Sequence, residues 1–288
     1  MKLVTQTDVT AERFGDEKAV RMICESGFDG IDYSMFVMND SDVDSVLNTD
    51  GYLAHVKNLR AIAESYGKTF EQSHAPFPSY KAGNDEYNKA IAPMLRRAIE
   101  ITGVLGAKVC VIHPVALGES QREFNLDLYN GLLETAKEYG VKIALENMWG
   151  RKDGKIVPNI CSVPDDFNSY VDALDPEYFT ACLDLGHCGL VGEDTADMIR
   201  SMGGKRITAL HIHDNNGIAD EHTIPYLRSM DFDSILKALA DINYSGNFTY
   251  EADYFLKRFP SELFPTLLKF MHDIGRYMIS EIERYKAQ

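Results

Sequence analysis

The sequence predicts a (β/α)8 barrel, and three observations lead to that fold class. The chain has 288 residues, a length at which such a barrel commonly forms a single domain. Eight short apolar or β-branched segments alternate with longer segments of helical periodicity. No linker or low-complexity tract interrupts this alternation, so we expect residues 1–288 to form one domain.

Eight segments have the character of strands, and we number the predicted strands 1 to 8 in chain order. They are KLVTQT (2–7), FDGIDYS (28–34), KTFEQSH (68–74), KVCVIHP (108–114), KIALENM (142–148), YFTACLDL (178–185), ITALHIHD (207–214) and NFTYEAD (247–253). Glycine stands just before four of them, where it commonly ends the preceding helix: Gly27, Gly67, Gly106 and Gly140.

Helical periodicity fills the intervals between these strands. The clearest segments are residues 16–26, 87–105, 125–139, 233–242 and 262–286. The longest insertions, residues 149–164 and 215–230, follow strands 5 and 7. Both insertions fall on the face where barrels of this kind carry their active sites.

Charge and cysteine usage narrow the classes of partner. The formal net charge of −15 at pH 7 opposes DNA or RNA binding, because phosphate backbones attract clustered Lys and Arg. The five cysteines are odd in number and show no C-x-x-C spacing, as expected in a reducing compartment. Neither a signal-peptide core nor an apolar run of membrane length occurs. We therefore predict a cytoplasmic protein without a nucleic-acid or membrane partner.

Chemically capable side chains gather at the carboxyl ends of the predicted strands, which face the active site of a barrel. Of the eight histidines, only His55 and His272 lie inside predicted helices. The other six lie at or just beyond strand ends: His74, His113, His187, His211, His213 and His222. Three acids close strands 5, 6 and 8: Glu146, Asp184 and Glu251.

Side-chain alternation directs these three acids towards a common interior. Residues two apart on a strand share a face, and each acid follows a small residue at that spacing: Ala144 and Glu146, Cys182 and Asp184, Thr249 and Glu251. The intervening Leu145, Leu183 and Tyr250 suit the outer layer against the helices. Buried carboxylates are costly unless a cation neutralises them, so their convergence with imidazoles implies a bound divalent metal ion.

Some of the histidines also have structural interpretations. His211 lies one layer deeper than His213, which favours a buried, hydrogen-bonded histidine over a ligand. His74 and His113 stand beside prolines, where each can serve as a structural cap or as a ligand or substrate contact.

Several residues near the predicted mouth likewise have more than one interpretation. Glu146 shares its face with Lys142, so a salt bridge between them is an alternative to metal binding. Asp220 can be a turn residue of the loop after strand 7. Trp149 can line a sugar site or anchor a loop, and Arg228 is placed to meet an anionic group of a substrate.

The motifs at strands 3 to 8 resemble the xylose isomerase-like barrel superfamily. They are SHAPF (73–77), VIHP (111–114), LENM (145–148), LDLGH (183–187), HIHDNNG (211–217), DEH (220–222) and YEAD (250–253). This resemblance covers nearly the whole chain. The superfamily includes sugar isomerases, epimerases and endonuclease IV. For the ketose 3-epimerases it implies one metal ion held by Glu146, Asp184, His213 and Glu251.

The resemblance also implies roles in catalysis. Glu146 and Glu251 would exchange a proton with the carbon next to the substrate carbonyl, while the metal polarises the substrate oxygens. The predicted substrate contacts are His74, His113, His187, His222, Trp149 and Arg228. The metal ion expected is Mn²⁺, Co²⁺, Mg²⁺ or Zn²⁺, all of which suit carboxylate and imidazole ligands.

Two departures from the family pattern concern the substrate. The 3-epimerases usually carry an arginine shortly after the strand-7 histidine, where this chain reads NNGIAD. Related sequences follow the D-x-H loop with P-G-x-G, whereas residues 225–228 here read PYLR. We therefore predict a sugar, sugar-phosphate or polyol substrate without specifying it further, and a homo-oligomer is compatible with such a barrel.

Endonuclease IV provides the main rival interpretation, a multinuclear zinc phosphodiesterase or phosphatase. The resemblance of this chain to endonuclease IV implies that additional zinc ions are held by His74, His113, His187, Asp220 and His222. The acidic composition weighs against a DNA substrate. The same scaffold is also compatible with an inositol or keto-sugar dehydratase and with a non-catalytic sugar-binding subunit.

Overall fold

The computed structural model describes residues 1–39 and 45–288. Eight parallel strands match the eight predicted segments, and the predicted barrel is confirmed. The strands are β1 (Leu3–Gln6), β2 (Gly30–Ser34), β3 (Thr69–His74), β4 (Val109–Val111), β5 (Lys142–Glu146), β6 (Phe179–Asp184), β7 (Ile207–His211) and β8 (Phe248–Tyr250).

The sheet closes on itself between β7 and β8. Within the sheet each strand pairs in parallel with its neighbours in chain order, and β1 pairs with β8. Just past β7, the Ile212 amide donates to the Thr249 carbonyl at 3.0 Å, and the Glu251 amide donates to the Ile212 carbonyl at 3.2 Å. These two bonds join the remaining edges, so the carboxyl ends of all eight strands meet at one mouth.

Helices surround the strands in the predicted places. They are α1 (Asp8–Phe14), α2 (Asp16–Glu25), α3 (Tyr52–Ser65), α4 (Asp85–Leu105), α5 (Gln121–Asn130), α6 (Leu133–Tyr139), α7 (Pro164–Val171), α8 (Leu185–Leu190), α9 (Thr195–Met202), α10 (Phe232–Asp241) and α11 (Phe264–Lys286). The predicted helix over 125–139 is two helices instead, because it breaks at Gly131, a residue of low helix propensity. None of the helices described is long and apolar enough to span a membrane.

Short 3₁₀ helices and one hairpin lie in the loops that follow the strands. The 3₁₀ helices are Phe36–Met38, Val46–Asn48, Gly118–Ser120, Tyr254–Arg258 and Ser261–Leu263. The insertion after β5 forms an antiparallel hairpin of Trp149–Lys152 and Lys155–Pro158. Its turn residues Asp153 and Gly154 both have positive φ, as a tight two-residue hairpin turn requires.

The two faces of the strands carry different layers, as alternation predicts. Small apolar side chains meet inside the barrel: Val111, Ala144, Cys182 and Ala209. The intervening Leu145, Leu183 and Tyr250 belong to the larger apolar core between strands and helices. The small interior layer supports a polar layer directly above it, at the carboxyl ends of the strands.

Candidate metal centre and active site

Four buried side chains from β5 to β8 converge at the bottom of the mouth. Glu146, Asp184, His211 and Glu251 each offer a ligand atom within 4.8 Å of the others, and we call them the inner group. His211 Nδ1 lies 3.1 Å from Glu146 Oε1 and 3.2 Å from Glu251 Oε2. This arrangement puts three carboxylates and one imidazole nitrogen around a common point.

The inner group differs from the predicted ligand set at one position. The sequence predicts His213 with the three acids, but His211 is the histidine that meets Glu146 and Glu251. The pairing register between β6 and β7 sets Asp184 opposite His211, which brings His211 to the depth of the acids. His213 lies one layer higher, with its Nε2 3.0 Å from Asp184 Oδ1. His211 is buried, as predicted, yet its nitrogen faces two carboxylates as a ligand would.

A carboxylate on β2, which the sequence did not single out, lies behind His211. Asp32 Oδ2 is 3.7 Å from His211 Nε2 and accepts a hydrogen bond from Gln72 Nε2 at 2.9 Å. A carboxylate on the far nitrogen of a metal-binding histidine fixes its ring orientation and raises its basicity. The signal available in the sequence was an acid in the middle of an otherwise buried strand.

A second group, the histidine pair, stands on the β3–β4 side of Glu146. The Nε2 atoms of His74 and His113 are 2.9 Å apart, and they lie 3.4 and 3.0 Å from Glu146 Oε2. His74 Nδ1 donates to the Ala75 carbonyl at 2.8 Å, which directs its Nε2 towards His113 and Glu146. Burial lowers the pKa of His113 more than Glu146 raises it, which favours neutral imidazole. The two Nε2 atoms and a carboxylate oxygen therefore face one point.

A third group lies at the rim and comprises His187, His213, Asp220 and His222, which we call the outer group. Asp220 Oδ2 lies 3.2 Å from His187 Nε2 and 3.0 Å from His222 Nε2. The Nδ1 atoms of these two histidines bond the backbone carbonyls of Asn147 and Glu251, at 2.8 and 3.0 Å. Both Nε2 atoms are thereby directed at Asp220, so its carboxylate does not serve merely as a turn residue.

Asn147 is a positioning residue that the sequence analysis missed. Its side-chain oxygen accepts the Asp184 amide at 2.7 Å, and its Nδ2 donates to the Asp184 carbonyl at 2.9 Å. The same residue holds His187 through its own carbonyl. Asn147 therefore links the inner and outer groups.

The three groups form a network in which acids and imidazoles alternate. Burial raises the pKa of Glu146, but His211 and His113 outweigh it and hold that pKa well below its ordinary value. Burial lowers the pKa of His222, yet Glu251 and Asp220 raise it to about 10. The pKa of His187 is likewise raised well above its ordinary value, against burial, by Asp184 and Asp220. The Glu146 carboxylate is thus ionised, and it needs positive charge nearby.

The donor set fits a divalent cation. Buried atoms that have no hydrogen-bond partner lie in the inner and outer groups, and they include Glu146 Oε2, His213 Nδ1 and Asp220 Oδ1. An unpartnered buried polar atom costs about 1–3 kcal/mol, and that cost disappears when the atom binds a cation. Carboxylate oxygens mixed with imidazole nitrogens are ligands for Zn²⁺, Mn²⁺, Co²⁺ or Mg²⁺.

A cavity of about 570 Å³ opens directly above the groups. The members of the three groups that line it are His113, Glu146, His187, Asp220, His222 and Glu251. Asp184 and His211 lie buried beneath this surface. Trp149 also lines the cavity, and its indole Nε1 donates to Asp220 Oδ2 at 3.0 Å.

Two predicted substrate contacts, Arg228 and His74, do not line the cavity, and one alternative pairing does not form. Arg228 does not reach the cavity: its Nε donates to both oxygens of Glu221 at 2.9 Å, and it lines a separate surface depression. The salt bridge proposed for Lys142 and Glu146 does not form, because Lys142 Nζ donates to the Pro176 carbonyl at the opposite end of the strand. His74 lies behind His113 and does not line the cavity either.

The chain belongs to the xylose isomerase-like TIM barrel family, whose sequence profile matches residues 20–274. Among curated relatives, the uncharacterized protein MJ1311 of Methanocaldococcus jannaschii is 29% identical over 193 residues. That match spans 62% of this chain and 62% of the relative's length.

Solved structures share the whole fold. A D-tagatose 3-epimerase-like protein has a TM-score of 0.70 at 22% identity, over 97% of this chain and 100% of that chain. L-ribulose 3-epimerase has a TM-score of 0.74 at 17% identity, over 98% and 96% of the two chains. The IolI protein with a binding zinc atom has a TM-score of 0.73 at 19% identity, over 99% of each chain. At these identities the likeness establishes the fold.

Proposed function

We propose that this protein is a metal-dependent isomerase or epimerase that moves a proton at the carbon next to a carbonyl of a sugar or polyol. One observation carries the proposal: Glu146 and Glu251 belong to the inner group and also line the cavity. Asp184 and His211 complete that group from beneath. Each glutamate is therefore within reach of both a metal ion and a bound substrate.

The ligands we assign to the metal are Glu146, Asp184, His211 and Glu251. When bound there, a divalent ion polarises the carbonyl and hydroxyl oxygens of the substrate and stabilises the charge that develops on them. Asp32 Oδ2 lies 3.7 Å from the far nitrogen of His211, and Asn147 holds the backbone of Asp184. His213 supports Asp184 in this assignment and is not itself a ligand of the inner ion.

Proton transfer is assigned to the two glutamates. One carboxylate removes the proton from carbon, and the other returns a proton, a contribution worth about 10²–10⁴-fold in rate. His113, His187, His222 and Trp149 line the same cavity, and we assign them to the substrate oxygens and ring. The names of similar structures support this class of reaction, since they include D-tagatose 3-epimerase-like protein and L-ribulose 3-epimerase.

The test is exchange of solvent deuterium into substrate. The protein is incubated in D₂O with a panel of ketoses and keto-polyols, and deuterium at the carbon next to the carbonyl is measured by NMR. We expect exchange by the unaltered protein and its loss in Glu251→Gln. The matched control is Glu221→Gln, which alters a nearby acid outside the cavity and should leave exchange unchanged. Near-normal exchange in Glu251→Gln contradicts the assignment.

A second candidate function rests on the histidine pair and the outer group. Together with the inner group they offer three sets of ligands, which suits a multinuclear zinc hydrolase of phosphate esters. Elemental analysis of protein purified without added metal or chelator separates the candidates. One tightly bound ion per chain supports the isomerase. Two or three zinc ions, with release of phosphate from esters or nicking of abasic DNA, support the hydrolase.

A further inference from the structure

The cavity above the metal groups has two unlike sides. The ionisable residues lie on its floor and towards β6 to β8. The loops after β2 to β5, which are neighbours around the barrel, contribute an arc of mostly apolar residues that we call the apolar wall. It includes Phe36, Phe77, Pro78, Tyr80, Met148 and Trp149.

The apolar wall is tied together by contacts between its own members and neighbours. The rings of Phe36 and Phe77 meet edge to face with centroids 4.9 Å apart, and Tyr80 lies 4.6 Å from Phe124. Between them, Ser79 Oγ donates to the His113 carbonyl at 2.8 Å, which anchors the loop after β3. The wall is thus a preformed surface and need not be assembled by a ligand.

The wall lacks the charge that an anionic substrate requires. No lysine or arginine is among the described residues that line the cavity. Cations beside the cavity have other partners: Arg151 lies over the Trp149 ring, 5.5 Å from its centroid, Arg228 pairs with Glu221, and Lys257 pairs with Glu12. A phosphate placed against the wall would lose water without gaining a charged partner, which is unfavourable.

The cavity is also large for the reacting part of a sugar alone. Its volume of about 570 Å³ falls in the range of sites that enclose drug-sized ligands. A sugar ring held by its oxygens over Glu146 and Glu251 occupies the floor and leaves the wall uncovered. We propose that the substrate is an uncharged sugar or polyol derivative whose group remote from the reacting carbons is apolar or aromatic. This inference rests on the proposed function, because it places the reacting carbons at the two glutamates.

The test uses three ketoses that differ only at carbon 6: D-fructose, 6-O-benzyl-D-fructose and D-fructose 6-phosphate. Trp149 is the chain's one tryptophan and lines the cavity, so its fluorescence reports binding to the metal-loaded protein. Burial of a phenyl ring predicts that the benzyl ether binds about 10-fold or more tightly than D-fructose, and the phosphate no more tightly. Equal affinities, tightest binding of the phosphate, or binding of none of the three overturns the inference.

Two variants test whether the preference for the benzyl ether arises at the apolar wall. Phe36→Ala and Tyr80→Ala each alter a partly exposed member of the wall, and each should reduce the ratio of the affinity for the benzyl ether to the affinity for D-fructose. The matched control is Phe270→Ala, an exposed aromatic outside the cavity, which should preserve the preference. A preference that survives both wall variants refutes the wall as its source.

Deuterium exchange separates this inference from the function it rests on. Exchange without the benzyl preference overturns the apolar-substituent inference and leaves the isomerase proposal standing. A benzyl preference without exchange into any of the three ketoses supports the apolar wall and counts against proton transfer.

Discussion

The inner group and the outer group use the same residue types but are held by different parts of the chain. The inner ligands stand on β5 to β8 or directly after them, where strand pairing fixes their depth. The outer residues come from α8 and from the loop after β7, and hydrogen bonds to backbone carbonyls aim them. In that loop His222 has a φ of 40°, a conformation that costs energy in a non-glycine residue. Sheet geometry therefore positions the inner ligands, and loop geometry positions the residues around them.

The largest expected effect is a loss of deuterium exchange, and it distinguishes His211, at the end of β7, from His213, just after that strand. His211→Ala should lower the exchange rate by at least about 10³-fold, because an inner ligand is lost and with it several kcal/mol of charge stabilisation. His213→Ala should weaken metal affinity only about 10–100-fold, as expected for a support of a ligand. Calorimetric metal titration and exchange rates measure both. A larger loss of exchange and of metal affinity in His213→Ala than in His211→Ala would mean that His213 is the ligand.

The outer group should give an intermediate effect. Asp220→Asn removes the charge that aims His187, His222 and Trp149, and we expect exchange to fall about 10–100-fold. The content of the inner metal, measured by elemental analysis, should stay the same. Glu221→Gln, one residue along the loop, is the control and should change neither quantity. Loss of the inner metal in Asp220→Asn would show that the two groups are not separable.

Metal binding to the outer group, which the second candidate function requires, should depend on pH. Burial lowers the pKa of His222, but Glu251 and Asp220 raise it to about 10, so the metal-free imidazole holds a proton at pH 7. A metal ion that binds Nε2 displaces this proton, so affinity at an occupied outer group rises with pH and binding releases protons. Calorimetry in two buffers of different ionisation enthalpy counts them. Binding to the outer group without proton release would contradict the charge network.

The smallest expected effect concerns stability and the buried side chain of Asp253, two residues after Glu251. Burial and then Asp8 raise the pKa of Asp253 to about 7, while its oxygens accept from Gln6 Nε2 and the Val9 amide. Because its folded pKa exceeds its unfolded pKa, Asp253 contributes stability at low pH that is lost as pH rises through about 7.

Asp253→Asn tests this pH dependence. Each pKa unit corresponds to about 1.4 kcal/mol, and each kcal/mol to a few degrees in Tm for a chain of this size. The unaltered protein should lose a few degrees more than Asp253→Asn between pH 6 and pH 8.5, as measured by scanning calorimetry. Parallel Tm curves for the two proteins would mean that Asp253 does not titrate in this range.

The sequence was a good guide to the fold and to the location of the site. Alternation of apolar strands with helical segments predicted all eight barrel strands, and the interior layer under the acids followed from their spacing. The clustering of histidines and acids at strand ends predicted the end of the barrel at which they gather, but it selected His213 where His211 meets Glu146 and Glu251. The break at Gly131 was missed because helical periodicity continues on both sides of it.

What the sequence by itself determined is the face on which each side chain stands, because alternation along a strand has a period of two. The tertiary structure alone decided depth: His211 and His213 share a face, and only the register of β7 against β6 sets His211 level with the acids. It also decided the partners of charged groups that are distant in sequence, such as Asp32 behind His211 and Glu221 on Arg228. Register and long-range pairing arise from packing of the whole barrel, and no local pattern of residues encodes them.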